Sequence, residues 1–297
     1  MASQTELIYR IFAIIFPIFS IVAIGYFYAR YRHDTDVSSG NRINMDIFTP
    51  ALIFDYMSAS NYALADYLLL SLGCVAVVLG SGIIAWPVAR FMGYQWKTLV
   101  PPMMFNNCGN MGLPLVVLTF GEAMLPAAIL LLAISNFLHF LVGQQLITQQ
   151  WSIRTVFTNP MIISTILGIA VSVSGIVIPE TLRLPIHMLG LVSIPLMLFS
   201  LGVRMIAIDF RDWGISTVGS LLCPLSGLII AVVFIQLVPL PATQVPLLLL
   251  FSVLPPAVLN YMVAERYGQE PHRVASIVLV GNLSSLVVIP LALWFIL

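Results

Sequence analysis

Phe105-Asn106-Asn107-Cys108-Gly109-Asn110-Met111-Gly112-Leu113-Pro114 lies inside an otherwise apolar run, 98–120. A run of that length can cross a bilayer as one helix, which needs roughly 20 apolar residues. Its middle nevertheless holds three amides, two glycines and a proline. Pro114 has no N–H to donate, and its ring would clash with the carbonyl of Asn110, so an unbroken helix there costs about 3 kcal/mol. Each glycine adds about 1 kcal/mol relative to alanine. In lipid, backbone groups freed by a break need protein partners or a wet cavity. Two readings follow. The helix is broken at mid-membrane around a substrate site, or it is kinked and its Asn side chains hold neighbouring helices together.

The rest of the chain has the composition of a bilayer protein. The hydrophobic fraction is 60% and the charged fraction 8%, mean hydropathy is +1.03, and a soluble domain carries about 25% charged residues. The expected class is an all-α polytopic membrane protein. A formal net charge of zero gives no reason to expect a nucleic-acid partner. Cys74, Cys108 and Cys223 lie in apolar runs without CxxC or zinc spacing. They read as small packing residues, and no metal or cofactor is expected. The first apolar run lacks an A-x-A cleavage site and exceeds a signal-peptide core, so it reads as a retained span.

Apolar runs bounded by charge, Pro or Gly suggest ten spans: 7–29, 43–57, 65–91, 98–120, 124–146, 160–178, 184–205, 213–238, 242–264 and 273–297. The second is short and contains Asp46, Pro50 and Asp55. With the N-terminus outside, the inside loops hold Arg30, Arg32, Arg42, Arg90, Lys97, Arg154, Arg204, Arg211, Arg266 and Arg273, leaving only Arg10 and Arg183 outside. That is a strong positive-inside bias, and it puts both termini outside.

Ten spans can be two copies of five. Pro17-x7-Gly25 recurs as Pro160-x7-Gly168, Pro50-x3-Phe54 as Pro195-x3-Phe199, and Val100-Pro101 as Val245-Pro246, with Gly121 and Asn136 matched by Gly268 and Asn282. The offsets stay between 143 and 147. An odd number of spans per copy forces opposite orientations, hence an inverted repeat, with a site where the repeats meet and broken helices in matching positions. The counterpart of the opening stretch is Phe251-Ser252-Val253-Leu254-Pro255-Pro256-Ala257-Val258-Leu259-Asn260-Tyr261, which is again broken at its middle. Two broken helices crossing would point two half-helix N-termini into one cavity, each with about half a positive charge and free N–H donors. Such a site suits an anion without a lysine or arginine in either broken span.

At this point the residues resemble the auxin efflux carrier family, which includes plant PIN auxin exporters and bacterial carriers described as malonate or malate permeases. The resemblance covers essentially the whole chain. It rests on Asn41-x2-Asn44-x3-Phe48-x-Pro50-Ala51-Leu52-Ile53-Phe54, on Asn107-x2-Asn110-x-Gly112-x-Pro114, and on Pro255-x6-Met262-x-Ala264-x2-Tyr267-Gly268. It implies ten spans with helices crossing at spans four and nine, both termini outside, and an elevator-like motion. Spans one, two, six and seven would form a scaffold, with a homodimer through those spans, and spans three to five and eight to ten would move. Asn107 stands where the crossover asparagine binds the auxin carboxylate in PIN exporters. The two repeats are expected at 1–147 and 159–297, joined by a cytoplasmic linker at 148–158. That linker is far shorter than in the plant exporters, so the chain resembles a short bacterial member of the inner membrane.

The candidate substrate-binding residues are thus Asn107, Asn110, Gly112, Pro114, Pro255, Pro256, Asn260, Asn136 and Asn282. Asp55 inside a span costs about 2.5–3.5 kcal/mol on insertion scales. It is a candidate for H⁺ or Na⁺ coupling, or an interfacial carboxylate near a helix end. His139, the other candidate for ion coupling, sits about one turn from Asn136 on the same face, so the two either line the site or bond between helices. His187 has no evident partner. The leading function is a secondary carrier for a small organic anion. The alternative is a Na⁺- or H⁺-coupled symporter or antiporter of the bile-acid-symporter type, whose crossings carry acids where this one carries amides. An enzyme is not expected: GxSxG, HExxH and paired mid-membrane aspartates are missing, and the missing P-loop excludes ATP drive in this chain.

Overall fold

A computed structural model describes residues 4–32, 36–59, 64–148, 158–207 and 212–297. Most of the expected linker, 149–157, and two of the counted basic residues, Arg154 and Arg211, lie outside the described residues. Within them the regular structure is helical throughout: α1 (Gln4–Arg32), α2 (Ser38–Ile43), α3 (Thr49–Ala59), α4 (Leu68–Phe91), α5 (Trp96–Met104), α6 (Leu113–Phe120) and α7 (Leu125–Leu138) come first. Then follow α8 (Gln144–Thr148), α9 (Pro160–Ser174), α10 (Glu180–Arg204), α11 (Trp213–Leu237), α12 (Val245–Ser252), α13 (Val258–Tyr267) and α14 (Pro271–Ile296).

Local chemistry explains several of these ends. Asn159 caps α9 by accepting from the Met161 N–H at 2.9 Å, Pro160 occupies the first helical turn where a missing N–H costs nothing, and Gly175 ends the helix at φ 67. Gly268 ends α13 in the same left-handed conformation, φ 66, which a Cβ would disfavour.

Among the described residues six helices are long and apolar enough to cross a membrane: Gln4–Arg32, Leu68–Phe91, Glu122–Thr148, Glu180–Arg204, Trp213–Leu237 and Pro271–Ile296. The other four expected runs are shorter pieces for physical reasons. α9, with 15 residues, spans roughly 22 Å at 1.5 Å per residue, less than a hydrocarbon core of about 30 Å. The run 43–57 falls on α2, a widened turn and α3. The runs 98–120 and 242–264 are each divided into two half-length helices, α5 with α6 and α12 with α13.

Three segments have widened, π-helical turns: Asn44–Phe48, Cys108–Gly112 and His139–Gly143. The first two lie just ahead of Pro50 and Pro114. In a regular α-helix those rings would strike the carbonyls of Asp46 and Asn110, each inside the widened turn.

Packing divides the helices into two groups. α1 lies along α10, and α3 lies between α9 and α10. The backbones of α1 and α10 touch: a Cβ added at Gly25 would overlap the Phe199 carbonyl, and one at Gly202 the Val22 carbonyl. In the second group α4 packs on α5 and α11, and α11 on α14. There a Cβ at Gly227 would overlap the Ser252 carbonyl. Small residues at such contacts let helices approach where no hydrophobic force between them operates.

Candidate functional site

α5 stops at Met104, Phe105 is extended (φ −109, ψ 99), and helix resumes at Cys108. α12 stops at Ser252 and helix resumes at Val258. The two interruptions lie antiparallel, Asn106 opposite Pro256. The Asn107 N–H donates to the Pro255 carbonyl at 2.6 Å, and the Ala257 N–H donates to the Phe105 carbonyl at 2.9 Å. Each break thus satisfies backbone groups of the other, as a dry environment demands.

Side-chain amides take up further carbonyls freed by the breaks. Asn106 Nδ2 donates to Phe251 O at 2.5 Å. Asn260 Nδ2 donates to Phe105 O at 2.8 Å and to Ala257 O at 3.0 Å. Asn107 Nδ2 donates to Asn282 Oδ1 at 2.8 Å, while Asn282 Nδ2 donates to Pro256 O at 3.0 Å and Val278 O at 2.8 Å. The adjacent prolines contribute as acceptors only, which is all Pro has to offer.

A cavity of about 100 Å³ adjoins this junction. Asn106, Asn107, Cys108, Gly109 and Asn110 line it from the first break, and Ala257, Val258 and Leu259 from the second. Residues 108–110 and 258–259 open the second half-helices, where the first N–H groups lack intrahelical acceptors. Asn41, Asn44, Asn136, Asn159, Ser200 and Arg204 complete the polar wall. Four buried atoms on this wall, Asn41 Nδ2, Asn44 Oδ1, Asn106 Oδ1 and Ser200 Oγ, have no hydrogen-bond partner among the described residues. Each such group costs about 1–3 kcal/mol, and several around one cavity mark a place for a ligand or ordered water.

Of the candidate residues, Asn107, Asn110 and Asn136 line the cavity. Asn136 Nδ2 also reaches the Met161 sulfur at 3.4 Å. Asn282 stands behind the wall and holds the Asn107 amide, and Asn260, Pro255 and Pro256 join the breaks. Gly112 makes room for Leu254, whose Cδ1 a Cβ would meet at 2.9 Å, and Pro114 starts α6. His139 is not on the wall. It is buried and stacked on Phe105, with ring centroids 4.2 Å apart, bracing the residue whose carbonyl receives Ala257 and Asn260.

Sequence reasoning missed Arg204. A cavity without a fixed cation was expected from the two broken spans, and neither supplies one, but Arg204 reaches the wall from the end of α10. Asn41 and Asn44 were visible only as motif residues, and Asn159 and Ser200 left no signal.

Asp55 does not line the cavity. Its buried carboxylate, with a side chain 2% exposed, accepts from Arg183 Nε at 3.1 Å and lies 2.7 Å from His187 Nδ1, so His187 does have a partner. Arg183 and His187 are 44% and 38% exposed and can turn to solvent, which moderates the cost of losing a buried pair, about 3–5 kcal/mol when both charges are trapped. Asp55→Asn is therefore expected to lower the unfolding temperature in detergent while leaving substrate affinity unchanged. A shift in the pH or Na⁺ dependence of transport in this variant would identify Asp55 as a coupling residue.

The profile of a family described as membrane transport protein matches residues 10–151 and 145–294. A protein of Rhizobium meliloti (strain 1021) named "Putative malonate transporter" is 25% identical over 219 residues, 66% of this chain and 67% of its own length.

Proposed function

The chain belongs to the membrane transport protein family, the auxin efflux carrier family, and from that premise we propose that it is a secondary carrier of a small organic anion, a carboxylate, working by elevator-type alternating access. The observation that carries the substrate class is the cavity at the paired breaks, where two half-helix starts and a ring of amides converge. Its volume of about 100 Å³ is well below the roughly 300–1,000 Å³ of pockets for drug-sized ligands, which favours an acid of a few carbon atoms. The name of the Rhizobium relative points the same way.

The proposed architecture is ten spans in two inverted five-helix repeats, 1–147 and 159–297, with α5/α6 and α12/α13 as the broken crossing pairs. Thr49 Oγ1 and Ser193 Oγ, 144 residues apart and so near the repeat offset, meet at 2.8 Å. Such a meeting of positions one residue from equivalence is expected near a two-fold axis. α1, α3, α9 and α10 are the proposed scaffold, in keeping with their mutual packing, and the remaining long and broken helices form the moving part. The exposed aromatic face of α1, with Tyr9, Phe12 and Phe16, suits lipid or a second copy. The distribution of basic residues supports a bacterial inner-membrane location with both termini outside.

A second reading is favoured by the unpartnered amide oxygens of Asn106 and Asn260. Both are acceptors, and amide oxygens are ligands for a coupling Na⁺. Imposed Na⁺ and pH gradients across proteoliposomes separate that coupled carrier from a uniporter.

The main test is competition. Small carboxylates are expected to compete for uptake of a labelled carboxylate, and the amide of the same acid is expected not to. A dipolar site loses its main attraction when the charge is removed. Equal competition by neutral sugars or by cations of similar size would overturn the anion reading.

A further inference from the structure

We propose that Arg204 holds the second carboxylate of a dicarboxylate substrate and so sets a preference for dianions over monoanions. This rests on the small-anion reading above.

The cavity has two poles. The first is the pair of breaks, with Asn107, Asn110 and the half-helix starts. The second is one face of α10, where Ser200 and Arg204 stand one helical turn apart and both line the wall. Ser200 is 2% exposed, and its hydroxyl has no partner among the described residues. Arg204 is half-buried. Among the described residues its guanidinium makes no ion pair within 4.0 Å and no hydrogen bond. Its electrostatic neighbours are Glu265 and Tyr261, and Glu265 Oε1 already accepts from Tyr261 Oη at 2.6 Å.

A partly desolvated cation without a bonded partner is unfavourable, and a guanidinium is shaped for two parallel bonds to a carboxylate. A monocarboxylate held at the breaks leaves that demand unmet. A short dicarboxylate meets both poles at once. Arg204 also borders two larger recesses of about 630 and 540 Å³, the first lined by Arg42 and by the carboxylates Asp36, Asp46 and Glu265. The guanidinium therefore stands between these recesses and the inner cavity. Glu265 supplies the counter-charge when no substrate is present.

The test uses the full chain in proteoliposomes and measures binding of malonate, acetate and malonamate (the monoamide of malonate) at neutral pH. Wild type is expected to bind malonate roughly tenfold or more tightly than either monoanion, the scale of one good charge-assisted pair. Arg204→Gln should bring malonate down to the acetate level, with a much smaller loss for acetate than for malonate, and Arg204→Lys should keep part of the preference. A folded Arg204→Gln that still prefers malonate overturns the proposal, as does a wild type that binds malonate and acetate equally, and in both cases the anion reading survives. A wild type that binds none of the three refutes the anion reading itself and the role of Arg204 with it. Should Arg204→Gln not fold, Glu265→Gln serves instead. Removing the competing carboxylate should raise the malonate-to-acetate ratio, and an unchanged ratio counts against the proposal.

Discussion

Asn107→Ala is expected to weaken carboxylate binding by roughly 1–3 kcal/mol, the cost of an unmatched charge-assisted hydrogen bond, or about 5- to 150-fold in affinity. The backbone of Asn107 does the structural work at the break: its N–H bonds Pro255, and its carbonyl accepts from Met111 at 3.2 Å and Gly112 at 3.0 Å. Alanine keeps all three bonds, so the junction should hold. What is lost is the amide on the cavity wall and the donor to Asn282 Oδ1. Binding measured by isothermal titration on monodisperse protein decides the matter. Wild-type affinity in a folded Asn107→Ala would assign the amide to packing alone.

The second large effect belongs to Gly202→Ala. Here the new methyl would meet backbone rather than a movable side chain, because the Val22 carbonyl of α1 lies where the Cβ must go. α1 and α10 must separate, and overpacking of this kind costs about 1–3 kcal/mol, occasionally more. Gly40→Ala is the matched control. Nothing lies within 4 Å of its added Cβ, and in a helix alanine should stabilise by about 0.5–1 kcal/mol. Thermal unfolding in detergent should therefore move down for Gly202→Ala and stay level or rise for Gly40→Ala. Equal midpoints for the two would mean that the α1–α10 contact is looser than described.

The positions of the two helix interruptions were legible because they violate local propensity so strongly. Asn, Gly and Pro at the middle of a long apolar run leave the backbone few options, and the offset of about 145 residues led from the first interruption to the second. Asn107, Asn110 and Asn136 could be picked out as polar groups in apolar surroundings. Arg204 could not: at the end of a long apolar run it has the signature of an ordinary interfacial cation, and only the tertiary position of α10 turns it to the cavity. The partners of Asp55 were equally hidden, since Arg183 and His187 lie 128 and 132 residues away and no helical period connects them. The ten runs were visible in hydropathy, yet among the described residues six correspond to helices long enough to cross alone. Hydropathy counts apolar residues without asking whether one helix contains them.

The widened turns carry a consequence for how this cavity can change. All three reach its wall, through Asn44, through Cys108, Gly109 and Asn110, and through Phe140. A widened turn holds a residue more than an α-helical one. The turns ahead of Pro50 and Pro114 cannot relax to a regular spiral, because the proline rings would then strike the carbonyls of Asp46 and Asn110, so Asn44 and residues 108–110 are fixed at the wall by the prolines that follow them. No proline follows His139–Gly143 in α8, so there alone the loss of a single residue can restore α-helical geometry and move Phe140 relative to the cavity.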